Sequence, residues 1–351
     1  MIARDIKKVL VTGGSGFIGS AVCRSLVRRG IEVHNIDALT YAADPSSLNE
    51  VENSPLYAFY HANVCDRTTC QRIVCESAPD AILHLAAESH VDRSLAGPEI
   101  FIDTNIRGTY VLLELALDFW AKRGKPESFV FHHVSTDEVY GDLPLSGGFF
   151  TEETPYNPSS PYSASKAASD HLVMAWHRSF KLPVVLSNCS NNYGPYQNNE
   201  KLIPHMVDQA LRGNRLPVYG RGENVRDWLF VDDHVEALHL ILTQGTPGSK
   251  YNVGGNNECT NLDVVRKICA LLDRHAPRAD GVSYAEQISF VTDRPGHDLR
   301  YAIDATHIRK ELGWSPRHEF HQGLEKTILH ILTNHNMRQE TLGSQTASVT
   351  P

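Results

Sequence analysis

The stretch "KKVLVTGGSGFIGSAVCRSLVRRGIEVHNID", Lys7–Asp37, reads as strand, turn, helix and second strand. A short apolar run ends in glycines. An amphipathic segment at helical spacing then runs to Gly30, and a second apolar run ends in an acid. Gly13, Gly16 and Gly19 form a G-x-x-G-x-x-G turn between the first strand and the first helix. Glycines there permit a tight turn and let backbone N–H groups approach a pyrophosphate at a helix N-terminus. Asp37 lies 18 residues beyond Gly19. A carboxylate at that point accepts hydrogen bonds from a ribose diol and repels a 2′-phosphate, which favours NAD over NADP. A glycine cluster by itself is weak evidence, and the plain alternative for Asp37 is an exposed acid at a strand end.

The alternation continues along the chain. "YAFYHANV", "AILHLAA", "SFVFHHVST" and "LPVVLSNCS" read as strands, separated by helical patterns such as "FIDTNIRGTYVLLELALDFWAKRG" and "SASKAASDHLVMAWHRSF". Apolar strands alternating with helices predict an α/β fold, a Rossmann-type doubly wound parallel sheet covered on both faces. After about Asn192 the pattern turns irregular, which predicts a smaller α+β C-terminal lobe. The expected division is a dinucleotide-binding domain over 1–193 with 225–256 returning to it, a substrate lobe over 194–224 and 257–335, and a disordered polar tail over 336–351.

Composition narrows the class. The 351 residues are 41% hydrophobic and 21% charged with net charge −8, which argues against nucleic-acid or anionic-membrane surfaces. Seven Cys without a C-x-x-C pair suggest reduced, buried thiols in a cytoplasmic protein, although the five-residue spacing of Cys65, Cys70 and Cys75 also admits a metal reading. No metal is expected. The N-terminus runs straight into a strand, so no signal peptide is expected, and no apolar stretch approaches the ~18 residues of a membrane span.

Two further patterns carry chemistry. "YSASK" sets Tyr162 and Lys166 four apart on one helix face. A nearby ammonium favours the phenolate, so such a Tyr can take a proton from an alcohol while hydride leaves for nicotinamide. "VSTDEVYG", Val134–Gly141, ends a strand in Thr136, Asp137 and Glu138. Oxidation and reduction leave the two carboxylates unexplained, whereas elimination of water across neighbouring carbons uses both: a base takes a proton and an acid protonates the departing hydroxyl. In an ideal strand they point to opposite faces, so the chain must turn at about Thr136 for both to serve one substrate. Otherwise one caps the next turn and the other meets solvent.

The glycine turn, Thr136 and Tyr-x-x-x-Lys together resemble the extended short-chain dehydrogenase/reductase superfamily. "HLAAESHVDRS", "STDEVYGD", "SSPYSASKAASDHLV", "NCSNNYGPYQ", "NVRDWLFVDDH" and "DRPGHDLRYAID" are similar, from about Lys7 to Thr333, to the dTDP-glucose 4,6-dehydratase family. The resemblance implies an NAD-dependent hydro-lyase acting on dTDP-glucose. Thr136 would bind the reacting oxygen, Tyr162 act as acid/base, and Lys166 hold the ribose and tune Tyr162. Glu138 would take the carbon-5 proton, Asp137 protonate the hydroxyl leaving carbon 6, and hydride leave carbon 4 and return to carbon 6. The product would feed deoxysugar biosynthesis, for example dTDP-rhamnose for surface polysaccharide, or a secondary-metabolite deoxysugar.

The same resemblance implies NAD contacts at Gly13, Gly16, Phe17, Ile18, Gly19, Asp37, Ala38, Leu39, Thr40, Asn63, Val64, Leu85, Ala86, Ala87, Ser89, Thr104, Tyr162, Lys166 and Asn192. Sugar-nucleotide contacts are implied at Ser89, Thr136, Asn191, Lys201, Leu202, Pro217, Tyr219, Arg226, Asn261, Arg294, His297 and Asp298. A single arginine is ordinarily a solvated surface group, and His297 is as easily a packing residue. Asn63 stands where the family usually has Asp near the adenine, and Ala42 where it often has Gly. The rivals are an epimerase or decarboxylase on the same fold, and an NAD-binding non-enzyme, whose mark would be loss of Tyr162 or Lys166. A homodimer through two long helices is implied, around 105–122 and 163–180.

Overall fold

The computed structural model describes residues 3–293 and 296–347. The first lobe contains β1 (Lys8–Thr12), α1 (Phe17–Arg28), β2 (Glu32–Asp37), β3 (Tyr57–His61), α2 (Arg67–Ser77) and β4 (Ala81–His84). It continues through α3 (Val91–Ala96), α4 (Glu99–Phe101), α5 (Thr109–Lys122), β5 (Val130–Thr136), α6 (Pro161–Phe180) and β6 (Val184–Cys189). The second half comprises β7 (Asn191–Tyr193), α7 (Leu202–Leu211), β8 (Leu216–Tyr219), β9 (Val225–Phe230), α8 (Val231–Gln244) and β10 (Lys250–Val253). After these come β11 (Glu258–Thr260), α9 (Asn261–His275), β12 (Ile288–Val291), α10 (Thr306–Leu312) and α11 (Phe320–Ala347).

Seven strands form one parallel sheet in the order β10-β6-β5-β4-β1-β2-β3. Every residue of β4, β5 and β6 is buried, as a parallel sheet covered on both faces requires. Strand order reverses between β1 and β4, and such a switch point opens a crevice beyond the carboxyl ends of the strands. Thr12 of β1 is in register with Ile36 and His84, and His84 with His133. The loops after these strands therefore leave the sheet at one level.

The second lobe has a three-stranded sheet, β11-β9-β7, and a two-stranded sheet, β12-β8. Its own core gathers Ile203, Met206, Val207, Trp228, Ile268, Leu272, Phe320 and Leu324. Of the segment 225–256, α8 and β10 join the first lobe, while β9 pairs with β7 and β11. Ile308 and Leu312 of α10, with Trp314, also pack into the first lobe's core, although they fall in the stretch expected in the substrate lobe. Their apolar side chains cover the outer side of β10 and α8, contacts that no local pattern encodes.

The tail also differs from expectation. Helix α11 runs to Ala347, so the expectation of a disordered 336–351 does not hold through 347. Residues 336–347 contain no Pro and include Met, Arg, Gln, Glu and Leu, all good helix formers, so a helix already begun can propagate through them. Residues 348–351 lie outside the described residues.

Candidate active site

The glycine turn is built by exclusion. A Cβ on Gly13, at φ +75°, would come within 2.7 Å of Ala86, and one on Gly19 within 2.0 Å of the Gly13 carbonyl oxygen. Gly16 differs: its Cβ would meet only that oxygen, at 3.4 Å, and would otherwise stand in open cleft. Asp37 secures the turn from the next strand. Its carboxylate accepts the N–H of Ser15 and that of Leu39, each at 2.8 Å. The acid is thus buried and bonded, not the exposed strand end of the plain alternative.

The chain turns where the two carboxylates need it to. Strand β5 ends at Thr136, and Asp137–Tyr140 form one 3-10 turn. The Thr136 hydroxyl caps that turn by accepting the Glu138 N–H at 3.3 Å. Gly141, at φ +91°, ends it, and a Cβ there would strike the Asn157 carbonyl at 2.4 Å. Asp137 and Glu138 consequently line the same cleft, together with Thr136.

Helix α6 brings the remaining pair. Ser160 and Ser163 form a reciprocal capping box, and Pro161 occupies the first turn. The helix therefore starts abruptly, with Tyr162 in its first turn and Lys166 one turn on. Both are buried and line the cleft. The Lys166 ammonium donates to the Val134 carbonyl at 2.8 Å.

Burial acts most strongly on Asp137 of the two acids. Asp137 is 2% exposed and its Oδ2 has no hydrogen-bond partner among the described residues. Burial pushes its carboxyl well above the usual range, and the charges of Glu138 and Asp227 add to the push, while Arg226 opposes it. Desolvation thus favours the protonated form of Asp137, while its neighbour Glu138 is only half-buried. Burial also holds the Tyr162 hydroxyl well above its ordinary value, helped by Glu138 and Cys189 and opposed by the Thr136 hydroxyl. Desolvation lowers Lys166, with Asp170 and Cys189 pulling it back.

One cleft gathers most of the residues singled out from the sequence. It is lined by Gly13, Gly16, Phe17, Ile18, Gly19, Asp37, Ala38, Thr40, Asn63, Val64, Leu85, Ala86, Ala87, Ser89, Thr104 and Asn192. Thr136, Asp137, Glu138, Tyr162, Lys166, Asn191, Lys201 and Leu202 also line it. Leu39 lies outside it, bonded through its N–H to Asp37. So do Pro217, Tyr219, Arg226, Asn261, His297 and Asp298. Arg226 is buried, donates to the carbonyls of Val225 and Asp298, and stacks on the Tyr301 ring at 4.2 Å. Asp298 accepts from the Ser159 hydroxyl at 2.6 Å and from the Tyr301 hydroxyl. His297 contacts Asp293 and packs edge-on against the exposed Tyr219. Arg294 lies outside the described residues.

Glu88, within the loop Leu85–Ser89 expected to contact NAD, lines the cleft too. Several lining residues had gone unassigned: Cys189, Gln197, Asn198 and Trp228 among them. Gln197, Asn198 and Trp228 sit in or beside stretches quoted for the resemblance, but nothing in their spacing gives them a role. Asp137 Oδ2, Asn191 Oδ1, Gln197 Oε1 and Trp228 Nε1 are buried without a hydrogen-bond partner among the described residues, and all belong to this cleft. Orphaned polar atoms converging on one crevice mark a site for a polar ligand. Among the described residues no cluster of His, Cys, Asp and Glu could hold a metal ion, and no helix is long and apolar enough to cross a membrane.

Comparison with known proteins agrees with this geometry. The sequence model of the family described as GDP-mannose 4,6 dehydratase matches residues 10–327. A dTDP-glucose 4,6-dehydratase of Haemophilus influenzae is 55% identical over 331 residues, covering 93% of this chain and 98% of the relative. The dTDP-glucose 4,6-dehydratase 1 of Escherichia coli K12 is 54% identical, with 93% of each covered. The crystal structure of a dTDP-glucose 4,6-dehydratase from Streptomyces venezuelae with NAD bound superposes with a TM-score of 0.86 at 41% identity, covering 94% of this chain and 98% of that one. A UDP-glucose 4-epimerase of Thermotoga maritima shares the fold at TM-score 0.82 but only 27% identity, covering 93% and 99%. With its parallel sheet, its capped Asp–Glu turn and its 54–55% identity to these dehydratases over 93% of its length, the chain belongs to the dTDP-glucose 4,6-dehydratase family of extended short-chain dehydrogenases.

Proposed function

We propose that this chain is an NAD-dependent dTDP-glucose 4,6-dehydratase, a hydro-lyase that converts dTDP-glucose into dTDP-4-dehydro-6-deoxy-glucose. One observation carries the reading: a buried Asp137 and its neighbour Glu138 share a cleft with Tyr162, Thr136 and Lys166. An epimerase has no use for a second acid and base there.

The residues present suit NAD. The open face at Gly16 leaves room for a pyrophosphate against the first turn of α1, and Asp37, Asn63 and Val64, which line the same cleft, would take the ribose and the adenine. When bound, NAD supplies a cationic ring that favours the Tyr162 phenolate, accepts hydride from sugar carbon 4 and returns it at carbon 6. Tyr162 takes the proton of the sugar 4-hydroxyl, and the Thr136 hydroxyl steadies the same oxygen. The ketone at carbon 4 acidifies the neighbouring C–H, and Glu138 removes that proton from carbon 5. Asp137 protonates the hydroxyl leaving carbon 6, so one water departs and a carbon–carbon double bond forms. Glu138 then gives its proton back to carbon 5 as carbon 6 is reduced, and Tyr162 keeps the carbon-4 oxygen in hydrogen bond.

Lys201, Ser89, Asn191 and Leu202 would face the sugar nucleotide. Pro217, Tyr219, Arg226, Asn261, Arg294, His297 and Asp298 are assigned to the diphosphate and thymidine by the family resemblance alone. The reading also includes a cytoplasmic homodimer pairing through α5 and α6, whose outer faces carry exposed Tyr110 and Phe180, and a product passed to dTDP-rhamnose and surface-polysaccharide synthesis.

The test is direct. The protein is incubated with dTDP-, UDP-, GDP- and CDP-glucose without added NAD. A mass loss of one water and the alkali-stable ultraviolet absorbance of a 4-keto sugar should arise from dTDP-glucose. No product from any of the four would sink the reading.

A further inference from the structure

Directly behind the catalytic pair lies a buried carboxylate that the mechanism does not use. Asp170 stands one turn beyond Lys166 on α6 and is 1% exposed. Its Oδ2 accepts from the Ser135 hydroxyl at 2.9 Å, the Tyr156 hydroxyl at 3.0 Å and the Asn188 amide at 3.3 Å. Its Oδ1 stands 3.1 Å from His133 Nε2, and the same ring nitrogen lies 3.5 Å from the Lys166 ammonium. Donors from β5, β6 and the segment before α6 thus converge on one charge, and that charge faces Lys166.

A buried ammonium is costly unless paired. Lys166 is buried, and its one close backbone acceptor, the Val134 carbonyl, is neutral. His133 is no counter-ion: burial and Lys166 together hold its ring well below the usual value, so it is neutral. His84 of β4, its ring tilted against that of His133 with centroids 5.3 Å apart, is lowered in the same way by burial, His133 and Lys166. Cys189 of β6 is pushed up to about 12, again by burial, and stays a thiol. Tyr140 and Tyr156, which also face Asp170, are phenols held above their ordinary range by burial. Asp170 alone among these groups carries negative charge near neutral pH. Burial pushes it up to about 6, and Lys166, Ser135, Tyr156 and Asn188 pull it back.

We propose that Asp170 is a positioning residue for the dehydratase reaction: through its place beside His133 and Lys166 it keeps the Lys166 ammonium charged and fixed one helical turn from Tyr162. The inference rests on the dehydratase reading, and it adds a counter-ion to the known Tyr–Lys pair. Asp170 touches neither substrate nor cofactor. It acts by keeping a positive charge one helical turn from Tyr162, which favours the phenolate against the burial that opposes it.

The test compares pH profiles of dTDP-glucose turnover for the wild-type holoenzyme, Asp170→Asn, Lys166→Met and the double variant. Asp170→Asn should move the acidic limb of kcat upward by about one unit and lower kcat about 10-fold at neutral pH, with KM changed less than about 2-fold. The tyrosinate absorbance assigned to Tyr162, by difference against Tyr162→Phe, should move upward with it. The double variant should be no slower than Lys166→Met, because the two residues act as one unit. Tyr156→Phe, which keeps the carboxyl and removes one hydrogen bond that supports its charge, should move the acidic limb upward by a smaller amount. This second variant decides the matter if Asp170→Asn does not fold. A uniformly lowered profile of unchanged shape, losses that multiply in the double variant, or an unmoved limb in Tyr156→Phe would each overturn the proposal. Failure of the wild-type enzyme to dehydrate dTDP-glucose would instead defeat the functional reading itself.

Discussion

The Thr136 hydroxyl accepts the backbone N–H of Glu138 at 3.3 Å, and this bond turns β5 out of extended geometry where two adjacent acids must share one cleft. Without the turn, alternation along the strand would send one carboxylate away from the substrate.

Asp137→Asn and Glu138→Gln should each lower kcat for dTDP-glucose by about 10²–10⁴-fold, the usual range for an acid or base in such a step. Tyr162→Phe should be at least as damaging. Deuterium exchange at carbon 5, followed by mass spectrometry in heavy water, separates the roles. Asp137→Asn should still exchange that hydrogen, and Glu138→Gln should not. Wild-type rates in either variant would return the epimerase reading.

The glycines predict two different failures. Gly19→Ala forces a Cβ to within 2.0 Å of the Gly13 carbonyl oxygen, so the turn must open and the melting temperature should fall. Gly16→Ala meets only one atom, at 3.4 Å, and projects into the cleft. It should melt like the wild type yet carry less NAD after purification, as read from the absorbance of the supernatant of acid-precipitated protein.

Acid should destabilise the fold through its buried imidazoles. Burial lowers His234 from 6.5 to about 3, and His84, His132 and His133 move the same way. The unfolded chain takes up a proton on such a ring below about pH 6.5, while the folded ring stays neutral. Stability is therefore whole above that pH and falls as pH drops toward the folded value. For His234 alone the total is at most about 5 kcal/mol. His234→Gln should flatten the fall of melting temperature between pH 6.5 and 4. An unchanged slope would assign the acid lability to other groups.

Three loops that line the cleft meet at its mouth. Arg93 lies 3.8 Å over the Tyr41 ring and forks onto Glu200, Tyr41 donates to Glu88 at 3.0 Å, and Asn198 donates to the Tyr41 carbonyl at 3.2 Å. Arg93→Ala should speed NAD release about 5-fold without changing the melting temperature, as surface contacts of this kind allow. Timed dialysis with enzymatic assay of free NAD reads it.

Near-neighbour relations were legible in the residues alone. The glycine spacing, Asp37 and the place of Tyr162 in the first turn of α6 each depend on a few adjacent positions, and backbone sterics and capping act over that range. The parallel sheet followed for the same reason, since alternating apolar runs have few other ways to bury both faces. Arg226 and Asp298 were not placed by such rules: each has partners outside the cleft lining. Nor could the sequence say that α10 covers the first lobe, or that Asp170 faces Lys166 and His133. Tertiary structure raised the Asp137 carboxyl by stripping away water and setting it near Asp227, an effect to which adjacent Glu138 adds. Desolvation and charge act through space, and the groups that impose them come from segments about 90 residues apart in the chain.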